Sequence, residues 1–167
     1  MQKKGQKGFS LIELLIVVAI IGIIAAIAIP NLLASRRAAN EGSAISSLRL
    51  VHSAQATYQA TTGNGQFGNL TELDGVDLVD SVLGAGQKSG YNFAMPDANI
   101  VDAAPGVLAT FYVTAIPITP TGLNQTGTRR FGMTEVGVGV ADTATLTAHL
   151  TRTEINNPTG TIKVIGE

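Results

Sequence analysis

The fold of this chain is decided by one stretch, Gly8-Phe9-Ser10-Leu11-Ile12-Glu13, and by the apolar run that follows it to Ile29. From Leu14 to Ile29 there is no charged residue and no Asn, Gln, Ser or Thr. As a helix, Phe9 to Ile29 spans about 30 Å, the thickness of the hydrocarbon core of a bilayer. A helix that is apolar on every side is buried in protein or in lipid. The remaining chain is too polar to surround it, so we expect a membrane-spanning helix rather than the core helix of a soluble domain.

A single acidic residue, Glu13, lies within this apolar segment. A carboxylate at membrane depth costs about 2.5 kcal/mol or more, so its presence needs a reason. One explanation is that the side chain snorkels to the interface near the helix end. The other is that it pairs with a positive charge inside the membrane. If the chain is cut after Gly8, the new α-amino group of Phe9 is the obvious partner, within the same helix or from a neighbouring subunit.

The run Lys7-Gly8-Phe9-Ser10-Leu11-Ile12-Glu13-Leu14-Leu15, with Pro30 beyond it, resembles the prepilin signature of type IV pilins and of the related pseudopilins of type II secretion. The resemblance covers about residues 3–40. It implies that the prepilin peptidase, a membrane aspartic protease, cleaves between Gly8 and Phe9 and that Phe9 is N-methylated. It also implies that, during assembly, Glu13 neutralises the Phe9 amine of an adjacent subunit or recruits that subunit through its Phe9 amine.

The resemblance further implies a homo-oligomeric helical filament and a set of assembly partners. These partners are an assembly ATPase, an inner-membrane platform protein and an outer-membrane secretin. Lys3, Lys4 and Lys7, with no acidic residue among residues 1–8, form a positive flank that keeps the N-terminus in the cytoplasm. We therefore expect a single-pass inner-membrane protein with a periplasmic C-terminal part, which moves to a cell-surface pilus after assembly.

Charge and composition exclude several classes of function. The chain has 11 basic and 12 acidic residues, which become 8 and 12 without the three leader lysines, for a net charge of −4. A broad basic surface for nucleic acid is therefore not supported. The chain has no cysteine, although many type IV pilins resemble one another in having a C-terminal disulfide.

The sequence predicts an α+β fold in which one long helix packs on a small antiparallel β-sheet head. The first part of the helix anchors the protein in the membrane and the second part is amphipathic. Gly22 and Pro30 interrupt the anchoring part, and in similar pilins the segment between such residues can become extended in the filament. A plain proline kink is the alternative. The predicted divisions are a cleaved leader (1–8), the membrane and assembly half of the helix (9–30), the amphipathic half (31–62), a connecting region with short helices (63–88), and the β-sheet head with its C-terminal tail (89–167).

The helix is predicted to continue past Pro30 to about Thr61. One face is apolar and is expected to pack on the sheet, whereas charged residues occupy other faces. The predicted apolar face comprises Ala44, Leu48, Val51, Ala54 and Tyr58; the predicted charged positions are Arg36, Arg37, Glu41 and Arg49.

Short helices and strands are predicted beyond the long helix. Asn69 is a candidate N-cap for a helix at Leu70–Leu73, and Asp77–Leu83 is a candidate second helix. Asp74, Asp77 and Asp80 recur at every third position, which does not match a calcium loop and indicates a solvated acidic face. Alternating residues predict four strands in a meander, and the tail from Asp142 hints at added strands. The predicted strands are Gly90–Met95, Val107–Ile118, Gly127–Met133 and Val138–Ala141.

No pattern in the sequence predicts catalysis, and we expect no enzyme, no cofactor and no metal site. The two histidines, His52 and His149, lie far apart in sequence. A cysteine nucleophile, a Gly-x-Ser-x-Gly motif, a phosphate-binding loop and a metal-ligand cluster are absent from the sequence. Each histidine is better explained as a surface or packed residue.

Three functional hypotheses remain. The first is a structural subunit of a type IV pilus used in motility, adhesion or DNA uptake. The second is a pseudopilin of a type II secretion system, and the third is a minor pilin whose head binds a ligand. The sequence favours the pilus subunit, because the calcium loop typical of the major secretion pseudopilin has no counterpart and because tip initiators of the family often lack the residue equivalent to Glu13.

Overall fold

The computed structural model of the chain describes residues 8–95 and 100–166, so only Gly8 of the predicted leader is described. The chain divides into an N-terminal unit, Met1–Ser35, and a C-terminal unit, Arg36–Glu167, and each is described by itself. The described helices are α1 (Leu11–Ala60), α2 (Leu70–Gly75), α3 (Ser81–Gly84) and α4 (Arg152–Asn156). The described strands are β1 (Gln87–Lys88), β2 (Tyr91–Ala94), β3 (Ile100–Val101), β4 (Thr110–Pro117), β5 (Arg130–Thr134), β6 (Gly139–Asp142) and β7 (Lys163–Val164).

Helix α1 is 50 residues long and is assigned without a break through Gly22 and Pro30. Pro30 has no N–H group, so one backbone hydrogen bond of the helix is missing at that point. The helix ends close to the predicted Thr61, where the N–H of Gly63 donates to the carbonyl of Tyr58 at 2.8 Å. Gly65, with φ of +90°, then takes the chain out of the helix in a conformation that glycine adopts readily.

The apolar face predicted for the second part of α1 is confirmed. Ala44, Leu48 and Val51 are fully buried, Ala54 is buried, and the partly buried Tyr58 packs against the same core. The prediction for Glu41 is wrong, because its side chain lies on the buried side of the helix and is only 6% exposed as a residue. Position 41 is three residues before Ala44, so the two side chains point in the same direction from the helix.

Of the two short helices predicted in the connecting region, α2 is confirmed and α3 is confirmed only in part. Asn69 caps α2 as expected, since its side chain accepts a hydrogen bond from the N–H of Glu72 at 3.0 Å. Helix α3 begins at Ser81 rather than at Asp77. Asp77 has φ of +58°, which interrupts a right-handed helix, and Asp80 instead caps α3 by accepting from the N–H of Leu83.

The strands form one antiparallel sheet, in the order β1-β2-β4-β5-β6-β7, with β3 paired to the start of β4. The predicted α+β class and the meander of four strands are therefore confirmed. In the register, Ala115 lies opposite Phe131, and Phe131 lies opposite Ala141. These three side chains share one face of the sheet and join the core cluster that also contains the buried side of α1.

Two predicted strands begin too early. Strand β4 starts at Thr110 because Val107 turns back and exchanges two backbone hydrogen bonds with Ala104. Strand β5 starts at Arg130 because the N–H of Thr128 donates to the side chain of Glu41 rather than to a neighbouring strand.

The prediction of added strands in the tail is correct only at its end, where Lys163–Val164 pairs with β6. The described residues 143–162 contain α4 and no strand. Leu150 and Ile155 are buried with Val140 in a second, smaller core on the other face of the sheet. The tail therefore covers that face instead of widening the sheet beyond β7.

Replacing Leu48 tests the contribution of the packing between α1 and the sheet. Leu48→Ala is expected to lower the free energy of unfolding of the C-terminal unit by about 2–5 kcal/mol, because it leaves a cavity in a fully buried site. Leu50→Ala is the matched control, since Leu50 is 42% exposed and its replacement should cost well under half as much. Denaturant unfolding of the full chain in detergent, followed by circular dichroism, measures both, and equal losses would contradict the packing described here.

Candidate assembly site

The peptide bond between Gly8 and Phe9 lies in an exposed segment just before α1. Gly8 is exposed, a Cβ added to it would have no atom within 4 Å, and the side chain of Phe9 is 92% exposed. Nothing within the described chain therefore requires glycine at position 8. If glycine is required at this position, the requirement comes from a partner that binds this segment, such as the peptidase expected to cleave it.

Glu13 lies in the first turn of α1, where its carboxylate Oε2 accepts a hydrogen bond from the N–H of Ser10 at 2.8 Å. This contact is half of a capping box, and it satisfies a backbone N–H that the helix leaves without an internal partner. Negative charge at this position also favours the positive end of the helix dipole. This local role of Glu13 was not predicted from the sequence, although the spacing Ser-x-x-Glu is its usual signature.

The predicted partner of Glu13, the α-amino group of Phe9, does not exist in the uncleaved chain. The nitrogen of Phe9 is an amide there, so it carries no charge until the bond after Gly8 is cut. The hydrogen bond to Ser10 and an ion pair with a free amine are thus properties of two different forms of the protein. The pairing itself stays a prediction.

The surface of α1 in the N-terminal unit is apolar on all sides. Every large apolar side chain from Leu11 to Ile29 is at least 52% exposed. Among the described residues, α1 is the one helix that is long and apolar enough to cross a membrane. An exposed apolar surface of this extent marks a site that lipid or another protein covers.

Gly22 lies within this surface, and a Cβ added to it would meet no atom within 4 Å. Gly22 also does not have the positive φ that would favour glycine. The described chain therefore gives no internal reason for glycine at position 22. The roles predicted for Gly22 and Pro30 as a switch or kink concern another state of the protein and stay predictions.

In the C-terminal unit, Glu41 joins α1 to the start of β5. Its Oε1 accepts hydrogen bonds from the N–H and the hydroxyl of Thr128, both at 2.7 Å, and its Oε2 accepts from Nε of Arg129 at 2.9 Å. Burial raises the pKa of Glu41, but the bonds from Thr128 and Arg129 outweigh it and the pKa is lowered. The carboxylate is therefore charged and held in place at neutral pH.

Further polar contacts connect α1 to the loops of the same unit. The side-chain amide of Asn40 donates to the carbonyl of Thr126 at 3.0 Å. The fully buried amide of Gln55 makes hydrogen bonds with both backbone groups of Gly68. Each contact satisfies a loop backbone group with a helix side chain, which fixes the loops against α1.

The chain without cysteine uses a buried ion pair to hold its tail. Nε of Arg130 donates to Oδ2 of Asp142 at 2.7 Å, and NH2 of Arg130 donates to Glu154 of α4 at 3.2 Å. The other oxygen of Asp142 accepts from the hydroxyl of Thr161 at 2.5 Å. Sheet, helix α4 and the segment before β7 therefore meet at this cluster, which sequence analysis did not predict.

His52 and His149 both make structural contacts. Nε2 of His52 lies 3.1 Å from the carbonyl of Glu135, and Nδ1 of His149 lies 2.7 Å from the hydroxyl of Thr114. Burial, together with the charge of Arg130, lowers the pKa of His149. In the described part of the chain no three His, Cys, Asp or Glu side chains form a group that could hold a metal ion.

Comparisons with known proteins bear on the N-terminal segment. Residues 3–29 match the family described as the prokaryotic N-terminal methylation motif. The chain is 66% identical over 38 residues to the type IV wide pilus major component PilA4 of Thermus thermophilus, covering 23% of this chain and 29% of that protein. It is 36% identical over 59 residues to the type II secretion system core protein G of Aeromonas hydrophila, covering 35% of this chain and 41% of that protein.

A third relative is the type IV major pilin protein PilA of Myxococcus xanthus, 48% identical over 52 residues, which are 31% of this chain and 24% of that protein. These matches confirm the resemblance to type IV pilins and type II secretion pseudopilins. The chain spans less than half the length of each of these relatives. None of their names is that of an enzyme, and no solved structure matches the chain.

Two replacements of Glu13 separate its capping role from its charge. Glu13→Gln keeps an oxygen for the N–H of Ser10 but removes the charge, whereas Glu13→Ala removes both. We expect both variants to be exported and cleaved, and both to lose most of the filaments that can be sheared from cells. Normal filament yield from Glu13→Gln would show that capping, and not the predicted ion pair, is the role of Glu13.

The Asp142 cluster is expected to make the C-terminal unit sensitive to acid. Burial raises the pKa of Asp142, but the hydrogen bonds from Thr161, Ala144 and Arg130 outweigh it and lower the pKa from 3.8 to about 2. Because the pKa of Asp142 is lower in the folded chain than in the unfolded chain, its ionised carboxylate stabilises the fold above about pH 4. This stabilisation is lost as the pH falls through about 2. The full contribution is about 2 kcal/mol.

Thr161→Val tests this assignment, since it removes one of the bonds that lower the pKa of Asp142. The free energy of unfolding of the variant should lie below that of the wild-type chain at neutral pH, and the difference should shrink as the pH falls from 4 to 2. Acid titrations of both chains, each with denaturant unfolding, give the difference. A difference that stays constant with pH would contradict the assignment.

Proposed function

We propose that this chain is a structural subunit of a type IV pilus that polymerises through the apolar part of α1. The observation that supports the proposal is the exposure of that apolar surface, which lies within the segment that matches the methylation motif and whose large side chains are all at least half exposed. Burying such a surface contributes about 25 cal/mol per Å², and many copies can bury it against one another. The same helix serves as a membrane anchor before assembly.

Within this proposal the N-terminal residues act in sequence. The prepilin peptidase cuts the exposed bond between Gly8 and Phe9, and the new amine of Phe9 is methylated. Glu13 then pairs with the Phe9 amine of a neighbouring subunit, which replaces its hydrogen bond to Ser10. Gly22 and Pro30 weaken the helix between them, so that this segment can adjust as subunits pack.

The proposed partners and locations follow from the same assignment. The assembly ATPase and the platform protein act at the inner membrane, and a secretin passes the filament through the outer membrane. The subunit begins as a single-pass protein with its C-terminal unit in the periplasm and ends in a surface filament. No nucleic-acid-binding surface forms part of the proposal.

A second candidate is a pseudopilin of a type II secretion system. It is favoured by the match to core protein G of Aeromonas hydrophila, which covers more of this chain than the match to the Thermus pilus component does. The anchor and the methylation motif fit both candidates equally well. A minor pilin with a ligand-binding head is a third assignment with the same anchor.

Intact-mass measurement of filaments sheared from cells distinguishes these candidates. A pilus subunit is expected in abundance in the sheared fraction, with the mass of the chain from Phe9 plus one methyl group. The same processed mass confined to the inner membrane would favour the pseudopilin or the minor pilin. An uncleaved chain in cells with an active prepilin peptidase would overturn the proposed processing.

A further inference from the structure

In the C-terminal unit, acidic and basic side chains without an ion pair lie at opposite edges of the sheet. Glu72, Asp74 and Asp77 make no ion pair with any other described residue, and they lie in or beside α2, near the edge formed by β1 and β2. Asp74 packs against Gly84 of α3, where an added Cβ would be 2.5 Å from the Cβ of Asp74. Asp102 follows β3, which pairs with the same side of β4 as β2 does. Asp80 pairs with Lys88 of β1 at the same edge. The other carboxylates have no such partner among the described residues, so this edge of the sheet is negative.

The opposite edge is positive. Lys163 of β7 and Arg49 of α1 are exposed and make no ion pair in the described residues, and Arg129 binds Glu41 while keeping 42% of its side chain exposed. A hollow of about 520 Å³ is lined by Arg129, Thr143 and Lys163, and an adjoining hollow of about 230 Å³ is lined by Arg49. Both hollows share Val164 and Ile165. We call the pair of hollows the cationic groove.

The two charged regions cannot neutralise each other within one copy. Four strand spacings separate β1 from β6, which is about 19 Å. Exposed charges at that distance are largely screened, because the Debye length is about 8 Å at physiological salt. Two buried acids lie beside the groove, and both already have partners. Thr128 and Arg129 occupy both oxygens of Glu41. Asp142, which precedes the lining residue Thr143, is bound by Arg130 and Thr161.

We propose that the acidic segment Asp74–Asp80 of one copy occupies the cationic groove of the next copy. The contact uses two different surfaces, so each copy offers a free groove and a free acidic segment after the first contact forms. Such heterologous contacts repeat without closing and build a helical assembly. The inference rests on the proposed filament and assigns residues of the C-terminal unit that fix how neighbouring copies are placed in it.

Engineered cysteines test the contact directly, because the chain has no cysteine of its own. Gly75→Cys adds a thiol within the acidic segment at an exposed position with no atom within 4 Å of the new Cβ. Thr143→Cys adds one in the groove at an exposed residue and leaves all its cations in place. The two positions lie too far apart for a disulfide within one copy, since that needs Cα atoms within about 7 Å.

Filaments of the double variant, oxidised and run on a non-reducing gel, should give a ladder of dimers, trimers and longer species. Gly75→Cys with Thr153→Cys is the matched control, because Thr153 is exposed on α4, at the other face of the sheet. The control should not form a ladder. Filaments with no ladder, or equal ladders in both variants, would overturn this contact and leave the proposed function standing. Empty sheared fractions from the wild-type chain would overturn both.

Charge changes give a second measurement. Lys163→Gln should reduce the yield of sheared filaments and make isolated filaments dissociate at lower salt. Asp77→Asn should do the same, and Asn tolerates the positive φ of position 77. Thr153→Glu, which makes the same change in net charge as Lys163→Gln, should leave both properties unchanged. Losses that follow net charge alone would contradict the contact, and would instead favour a general effect of charge on assembly.

Discussion

The structure depends on one constraint, which is that the apolar surface of α1 between Leu11 and Ile29 must be covered by something other than water. Within the described chain the large side chains there are all at least half exposed. Lipid can cover it first and other copies later, so one helix can serve in both environments. Apart from Glu13 this run has no polar side chain, which suits it to either environment, because a polar residue would have to find a partner in each.

In the C-terminal unit the same helix packs against the sheet and binds the loops. There α1 buries Leu48 and Val51 against the sheet, and it places polar side chains where loops need hydrogen-bond partners. Glu41, Asn40 and Gln55 each satisfy a backbone group of a loop. Because these bonds start from a rigid helix, they hold segments that would otherwise depend on a disulfide or on longer strands.

Local rules predicted the parts of the fold that depend on neighbours in sequence. The apolar face of α1, the cap at Asn69 and the alternation of β4 were all visible as patterns. Glu41 and Asp142 were not, because their burial depends on Thr128, Arg129 and Arg130 arriving from distant parts of the chain. Helix α4 could have been found, since Thr151 and Glu154 have the spacing of a capping box. The processing role predicted for Gly8 and Phe9 and the assembly role predicted for Glu13 stay predictions, because they concern other molecules and not contacts within the described chain.

The two outermost strands of the sheet, β1 and β7, are only two residues long, and Lys88 and Lys163 lie on them. A long, flat outer strand would offer unpaired backbone groups to every nearby copy and invite amyloid-like stacking. Short outer strands with lysines offer little to such growth. If copies gather through the apolar part of α1, as proposed, many sheets can therefore lie close together while each sheet stays separate.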